Sequence, residues 1–181
     1  MKIIAIGGEP GAGKSTLVKQ ILEILDKYIP VKCYDNFKLV PYIQCGSLYI
    51  LGKYDEGETF SGTDRMSMAV QPEAVKFLAS LHKDSVVLFE GDRLFTSTFL
   101  EHCVENYDTE IIYLETDKSI RQERYKERGS NQNETWLQGR ETKIANILSN
   151  MTLMFNVTKF KNNNKDEQKI IVDYIMKYLE A

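Results

Sequence analysis

Residues 8–15 read Gly-Glu-Pro-Gly-Ala-Gly-Lys-Ser and fill every required position of the pattern G-x-x-x-x-G-K-[ST]. That spacing suits a phosphate chain. Gly8, Gly11 and Gly13 let the backbone through Glu9, Pro10 and Ala12 curl so that N–H groups face phosphate oxygens. Lys14 can reach the β- and γ-phosphates, and the Ser15 hydroxyl can ligate Mg²⁺. Thr16 opens a helix whose N-terminal dipole adds attraction. The plain alternative is a glycine turn with a chance Lys-Ser. It is disfavoured because an apolar run precedes the loop and a helical pattern follows it. The expected chemistry is the binding of a nucleoside triphosphate.

Phosphoryl transfer also needs a held metal, neutralised charge on the moving group and an acceptor oxygen aimed in line. Glu90 and Asp92 stand at the end of an apolar run, where a carboxylate can hold a water on Mg²⁺. Spacing does not choose between the two, and both can instead cap the helix that follows. Arg121, Arg124 and Arg128 recur at i, i+3 and i+7 on one helix face, with Arg140 and Lys143 beyond a polar connection. Arginine forks match phosphate oxygens, so residues 117–143 read as a lid over the triphosphate. Glu123, Glu127 and Glu141 fit a solvated, ion-paired face instead; the phosphate loop upstream favours the lid. Asp35, just past a short second strand, can act as base toward a hydroxyl acceptor. Asp64-Arg65 and Asp92-Arg93 are acid–base pairs in loops, readable as functional pairs or as surface ion pairs.

Alternating β and α elements must hold these residues. Residues 2–6 read as a buried strand, and 16–28 as a helix with Leu17, Ile21, Ile24, Leu25 and Tyr28 on one face. Pro30 breaks the chain before a short strand at 31–34. Helices follow at 73–82 and 94–106, strands at 86–90 and 110–114, and a polar helix at 117–128. A long helix beyond 130–133 turns Leu137, Ile144, Ile147, Leu148, Met151 and Met154 to the core. Residues 155–160 give the last strand, and 167–179 a helix burying Ile170, Ile171, Tyr174, Ile175 and Tyr178. The expected fold class is α/β: a parallel five-stranded sheet in three layers with helices on both faces. Residues 36–64 break the alternation, with Tyr42, Ile43, Leu48, Tyr49, Ile50, Leu51 and Tyr54 around Gly46 and Gly52. They read as a hairpin inserted after the second strand, a flap over the core, a stacking wall for a flat acceptor, or both.

The length of 181 residues suits one domain, 1–181, with a sizeable core. A net charge of −3 argues against a surface coated for non-specific DNA binding, while allowing a local basic groove. Cys33, Cys45 and Cys103 have neither disulfide nor zinc spacing, so reduced thiols are expected. His82 and His102 read as solvated helix residues. No stretch approaches the ~18 apolar residues of a membrane span, and no signal segment precedes the first strand. A cytoplasmic protein with no membrane partner is expected.

Several of these features recur together elsewhere. The phosphate loop, Thr63-Asp64-Arg65 before a helix, Val86-Val87-Leu88 running to Asp92-Arg93, the Arg121/Arg124/Arg128 helix and the closing strand and helix span nearly the whole chain. On them it resembles the P-loop nucleoside and nucleotide kinases, most of all the thymidylate-kinase-like branch. The resemblance implies ATP and Mg²⁺, and a nucleotide-type acceptor contacted by Asp64, Arg65 and Arg93. It implies that Lys14, Arg93, Arg124 and Arg128 act in transfer, with Asp92 near metal and phosphate. Tyr34-Asp35-Asn36-Phe37 departs from the acidic-proline segment of ordinary thymidylate kinases. The loop 60–72, Phe-Ser-Gly-Thr-Asp-Arg-Met-Ser-Met-Ala-Val-Gln-Pro, resembles a phage branch of these kinases. That branch phosphorylates the 5-hydroxymethyl group of hydroxymethyluracil already in DNA. This would make the partner DNA with a modified pyrimidine, extruded or single-stranded, and the location the host cytoplasm. A hydroxyl acceptor gives Asp35 its role as base. A homodimer stays open.

Other readings are a free deoxynucleotide kinase, a P-loop ATPase switch, and a small-metabolite kinase of the gluconate or adenylylsulfate sort. The switch wants Asn-Lys-x-Asp, and Asn164-Lys165-Asp166-Glu167 places the aspartate one residue early. The metabolite kinase leaves Asp64-Arg65 and the aromatic insertion without a role. The run 162–164 reads as a polar turn that can touch a purine.

Overall fold

A computed structural model describes residues 1–55, 58, 60–127, 129 and 133–180. At its centre lies β1 (Lys2–Gly7), whose residues Ile3, Ile4, Ala5 and Ile6 are fully buried. A strand apolar on both faces must be covered on both faces, and the chain supplies two helical layers. On one side α1 (Lys14–Leu25) and α6 (Lys165–Glu180) cover Ile4 and Ile6 with Leu17, Val18, Ile21, Ile171 and Ile175. On the other, α2 (Val70–Ser80), α3 (Ser97–Asn106) and α5 (Glu134–Leu148) cover Ile3 and Ala5 with Phe77, Phe99, Leu100, Ile144 and Ile147.

The other strands are β2 (Lys32–Tyr34), β3 (Tyr42–Cys45), β4 (Leu48–Leu51), β5 (Val86–Glu90), β6 (Asp108–Glu115) and β7 (Val157–Lys161). They form one sheet in the order β2-β3-β4-β5-β1-β6-β7. The five strands β4-β5-β1-β6-β7 are mutually parallel. The sheet thus has seven strands where five were expected. The parallel core of five is present, but β4 and not β2 stands beside β5. The reason lies in composition. Leu48, Ile50 and Leu51 are buried, whereas Lys32 and Cys33 of β2 are exposed and lie at the sheet edge. The inserted hairpin is β3–β4, closed at Gly46-Ser47 and antiparallel to β2.

Several expected core positions lie outside the core. Helix α1 ends at Leu25, so Tyr28 is exposed. Helix α5 ends at Leu148, leaving Met151 and Met154 exposed while Leu153 is fully buried. Asn150 accounts for this: its side chain binds Glu101 and accepts from Thr152 N–H, so the chain turns before the helical period reaches Met151. Ile170 faces out, one residue beside the buried Ile171 and Val172. Tyr174 and Tyr178 are half-buried, their hydroxyls donating to Glu110 and Asp108. His82 lies in the turn after α2, and the Nε2 of His102 is buried against expectation. Among the described residues, no helix is long and apolar enough to cross a membrane.

Candidate active site

The phosphate loop leaves β1 and enters α1 at Gly13, whose φ of 89° suits only glycine. A Cβ there would stand 2.7 Å from Asn162 Nδ2. Among the described residues no side chain caps the start of α1, which leaves its first N–H groups for an anion. The loop carbonyls are engaged in turn. Lys14 Nζ donates to Gly8 O at 2.9 Å and Glu9 O at 3.2 Å. Tyr125, on α4 (Lys118–Glu127), donates its hydroxyl to Pro10 O, and Arg124 reaches Gly11 O at 3.1 Å. Asn162 Nδ2 donates to Ala12 O at 2.6 Å. With the carbonyls of residues 8–12 each held by a donor, the loop is set with its amides turned toward an anion before any ligand arrives.

Beside the loop, Ser15 Oγ donates to Glu90 Oε1 at 2.8 Å. Glu90 ends β5 and is 1% exposed. The strand-end acid that touches Ser15 is therefore Glu90. Asp92 turns instead to the lid side, bound by Arg140 at 2.9 Å and by Lys143 through its carbonyl at 2.8 Å. Burial pushes the Lys143 ammonium pKa down, against the pull of Asp92. Asp64 Oδ1 accepts from Asp92 N–H at 2.6 Å. Burial, then the charge of Asp92, raises the Asp64 pKa, while Lys14 and Arg93 pull it back. The carboxylates sit among cations, as the handling of a highly charged phosphate requires.

The loop 60–72, the acceptor loop that the resemblance implies, is packed tightly onto this floor. Gly62, at φ 69°, passes so close that a Cβ would lie 2.3 Å from Glu90 Oε1. Lys53 and Gly62 exchange two backbone hydrogen bonds, of 3.2 and 2.7 Å. Thr63 Oγ1 and the Tyr54 hydroxyl are buried without a hydrogen-bond partner among the described residues, and the Tyr54 pKa is raised by burial and by Glu90 and Asp64.

One cavity gathers Gly8, Pro10, Gly11, Gly13, Lys14, Ser15, Asp64, Glu90 and Asp92, joined by Phe60, Ser61, Tyr125 and Trp136. Thr16 instead lines a cavity of about 400 Å³ on the other flank of the loop, with Arg124, Asn163, Lys165 and Gln168. Glu9 turns away, its carboxylate accepting from Tyr113 at 3.0 and 3.1 Å. Arg93 Nε donates to Met66 O at 3.3 Å, and Arg65 pairs with Asp55. Arg124 reaches the loop and the carbonyls of Asn162 and Asn163, so it braces backbone. Arg121 ties α4 to α5 through Glu141 at 3.2 Å. Arg128 lies outside the described residues. Asp35 is not among the lining residues of the phosphate cavity. It pairs with Lys53 at 2.9 Å in a neighbouring cavity of about 260 Å³, lined also by Tyr34, Tyr42 and Tyr54. Trp136, Tyr125 and the bracing role of Asn162 escape sequence reasoning. The available signal is the sole tryptophan, on an otherwise polar helix start.

The family model described as P-loop Nucleotide Kinase3 matches residues 1–162. The chain belongs to that family. It is a phosphotransferase that uses a nucleotide. No curated protein gives a significant sequence match. Among solved structures the chain is similar to a gluconokinase from Sinorhizobium meliloti 1021, at 14% identity over 99% of this chain and 95% of that one, TM-score 0.49. It is also similar to a shikimate kinase from Bacteroides thetaiotaomicron, at 17% identity over 99% and 98% of the two chains, TM-score 0.42.

Proposed function

We propose that this kinase moves the γ-phosphate of ATP to the 5-hydroxymethyl group of 5-hydroxymethyluracil carried in DNA. The observation that supports this most is the cavity in which the phosphate loop and Glu90 meet the acceptor-loop residues Phe60 and Asp64. A bare phosphate-binding protein needs no buried carboxylate aimed there, and a sugar-acid kinase needs no aromatic mouth. The loop amides and Lys14 hold the triphosphate, and its nucleoside lies toward the Thr16–Arg124 flank. Ser15 and Glu90 fit a Mg²⁺ ion: a hydroxyl and a carboxylate oxygen 2.8 Å apart beside the loop. When bound, Mg²⁺ neutralises charge on the β- and γ-phosphates. Asp64 accepts the hydrogen bond of the acceptor hydroxyl, aligns its oxygen on the γ-phosphorus and receives its proton as the bond to the bridging oxygen breaks and ADP leaves. Arg140 and Lys143, held at Asp92, are the cations that would balance the charge.

The same two cations favour a second reading, a free deoxynucleotide acceptor whose own phosphate they would hold. Incubation with γ-labelled ATP, Mg²⁺, thymidylate and an oligonucleotide containing 5-hydroxymethyluracil separates the two. Label in the oligonucleotide supports the proposal, and label in thymidylate alone replaces it with the second reading. Phosphate release without transfer moves the assignment to an ATPase switch.

A further inference from the structure

Two aromatic rings at the phosphate cavity have no part in holding a triphosphate. Phe60 belongs to the loop 60–72 and is 53% exposed, so its ring has a face open to a ligand. Trp136 belongs to the first turn of α5, and its backbone N–H is capped by the Asn133 side chain at 2.8 Å. Both line the cavity that holds Lys14, Ser15 and Asp64. The indole is also fixed in place. Arg140 stacks over it at 4.9 Å from the ring centroid, and the same guanidinium binds Asp92 at 2.9 Å. Asp92 is in turn held by Asp64 through its N–H. A chain of contacts therefore runs from the acceptor-side carboxylates to the orientation of one tryptophan ring.

The donor nucleoside has its own place. The flank of the loop at Thr16 is lined by Arg124, Asn163, Lys165 and Gln168, with no aromatic ring among the lining residues. Phe60 shares its loop with Asp64, and Trp136 reaches Asp92 through Arg140, so both rings go with the carboxylates of the cavity. We infer that Phe60 and Trp136 are the specificity-determining pair that stacks on the acceptor's pyrimidine, so that this kinase takes a base only when it is unstacked from its neighbours. The inference rests on the proposed base acceptor and names how that base is recognised. Stacking on aromatic side chains is open to any base with a free face. Discrimination then comes from what the cavity floor hydrogen-bonds, and the preferred substrate is single-stranded or extruded DNA, in which that face is exposed.

Because Trp136 is the chain's single tryptophan, its emission reports on the pair directly. The full chain is titrated with a single-stranded oligonucleotide carrying one 5-hydroxymethyluracil and with the same strand abasic at that position. Quenching by the first and not the second is expected, and equal responses overturn the inference. In transfer assays Trp136→Ala and Phe60→Ala are expected to raise the acceptor KM on the order of tenfold. ATP KM should hold, and Trp136→Phe should restore most of the loss, a pattern that simple misfolding does not give. A wild-type enzyme that phosphorylates the base while both alanine variants keep its KM within twofold overturns the stacking pair alone. Base-dependent quenching without transfer to any base overturns the proposed reaction and leaves the stacking pair standing.

Discussion

The two halves of the cavity are built from different material. On the proposed donor side, the backbone is prepared for binding: the carbonyls of residues 8–12 are occupied by Lys14, Tyr125, Arg124 and Asn162, which leaves the amides for a phosphate. On the proposed acceptor side, side chains line the cavity: Phe60, Asp64, Asp92 and Trp136 come from the loop 60–72, the turn after β5 and α5. A backbone site needs a contiguous run of glycines and one geometry. A side-chain site needs only that distant segments fold to one place, so it can be re-specified residue by residue without touching the phosphate chemistry.

Breaking the donor half should cost most. Lys14→Ala removes the one ammonium lodged in the loop and is expected to lower transfer by about a thousandfold or more, measured as kcat with saturating acceptor. The fold should persist, judged by an unchanged far-ultraviolet circular dichroism spectrum. Asp64→Asn attacks the acceptor half: kcat is expected to fall on the order of a hundredfold with ATP KM unchanged. Its stability effect runs the other way. The raised Asp64 pKa means that ionising it costs stability above the ordinary carboxylate range and nothing below that range. Asparagine should therefore raise Tm at neutral pH by about 1–3 °C, a gain that fades as pH falls below 4. Asp35→Asn marks where the acceptor half ends. Its carboxylate is well exposed and paired with Lys53, so about a threefold loss in kcat/KM is expected. A loss as large as that of Asp64→Asn would put the base at Asp35.

The donor half was legible because sequence order is spatial order there: strand, glycines, Lys14, Ser15, helix. Glu90 was legible as one of a pair, and only its contact with Ser15 separates it from Asp92. The hairpin was legible from its aromatic and glycine punctuation, yet not its place in the sheet. A strand's neighbour is set by burial across the whole layer, and β4 outcompetes the polar β2 for it. Met151 and Met154 continue the apolar period of α5, but a period does not register a side chain such as Asn150 that ends the helix. Trp136 was illegible because an aromatic in a polar helix looks like helix packing until the fold brings it to one cavity with Phe60 and Asp64.

The passage of Gly62 across Glu90 leaves no slack between the acceptor loop and the oxygen that engages Ser15. Any shift of that loop as an acceptor seats must move the carboxylate, and any rearrangement at Ser15 on nucleotide loading must press back on the loop. The affinities of the two substrates are then linked, and the linkage is equal in both directions. A single molecule joining the triphosphate to the acceptor would meet both demands in one binding event, and would feel that coupling as soon as it binds.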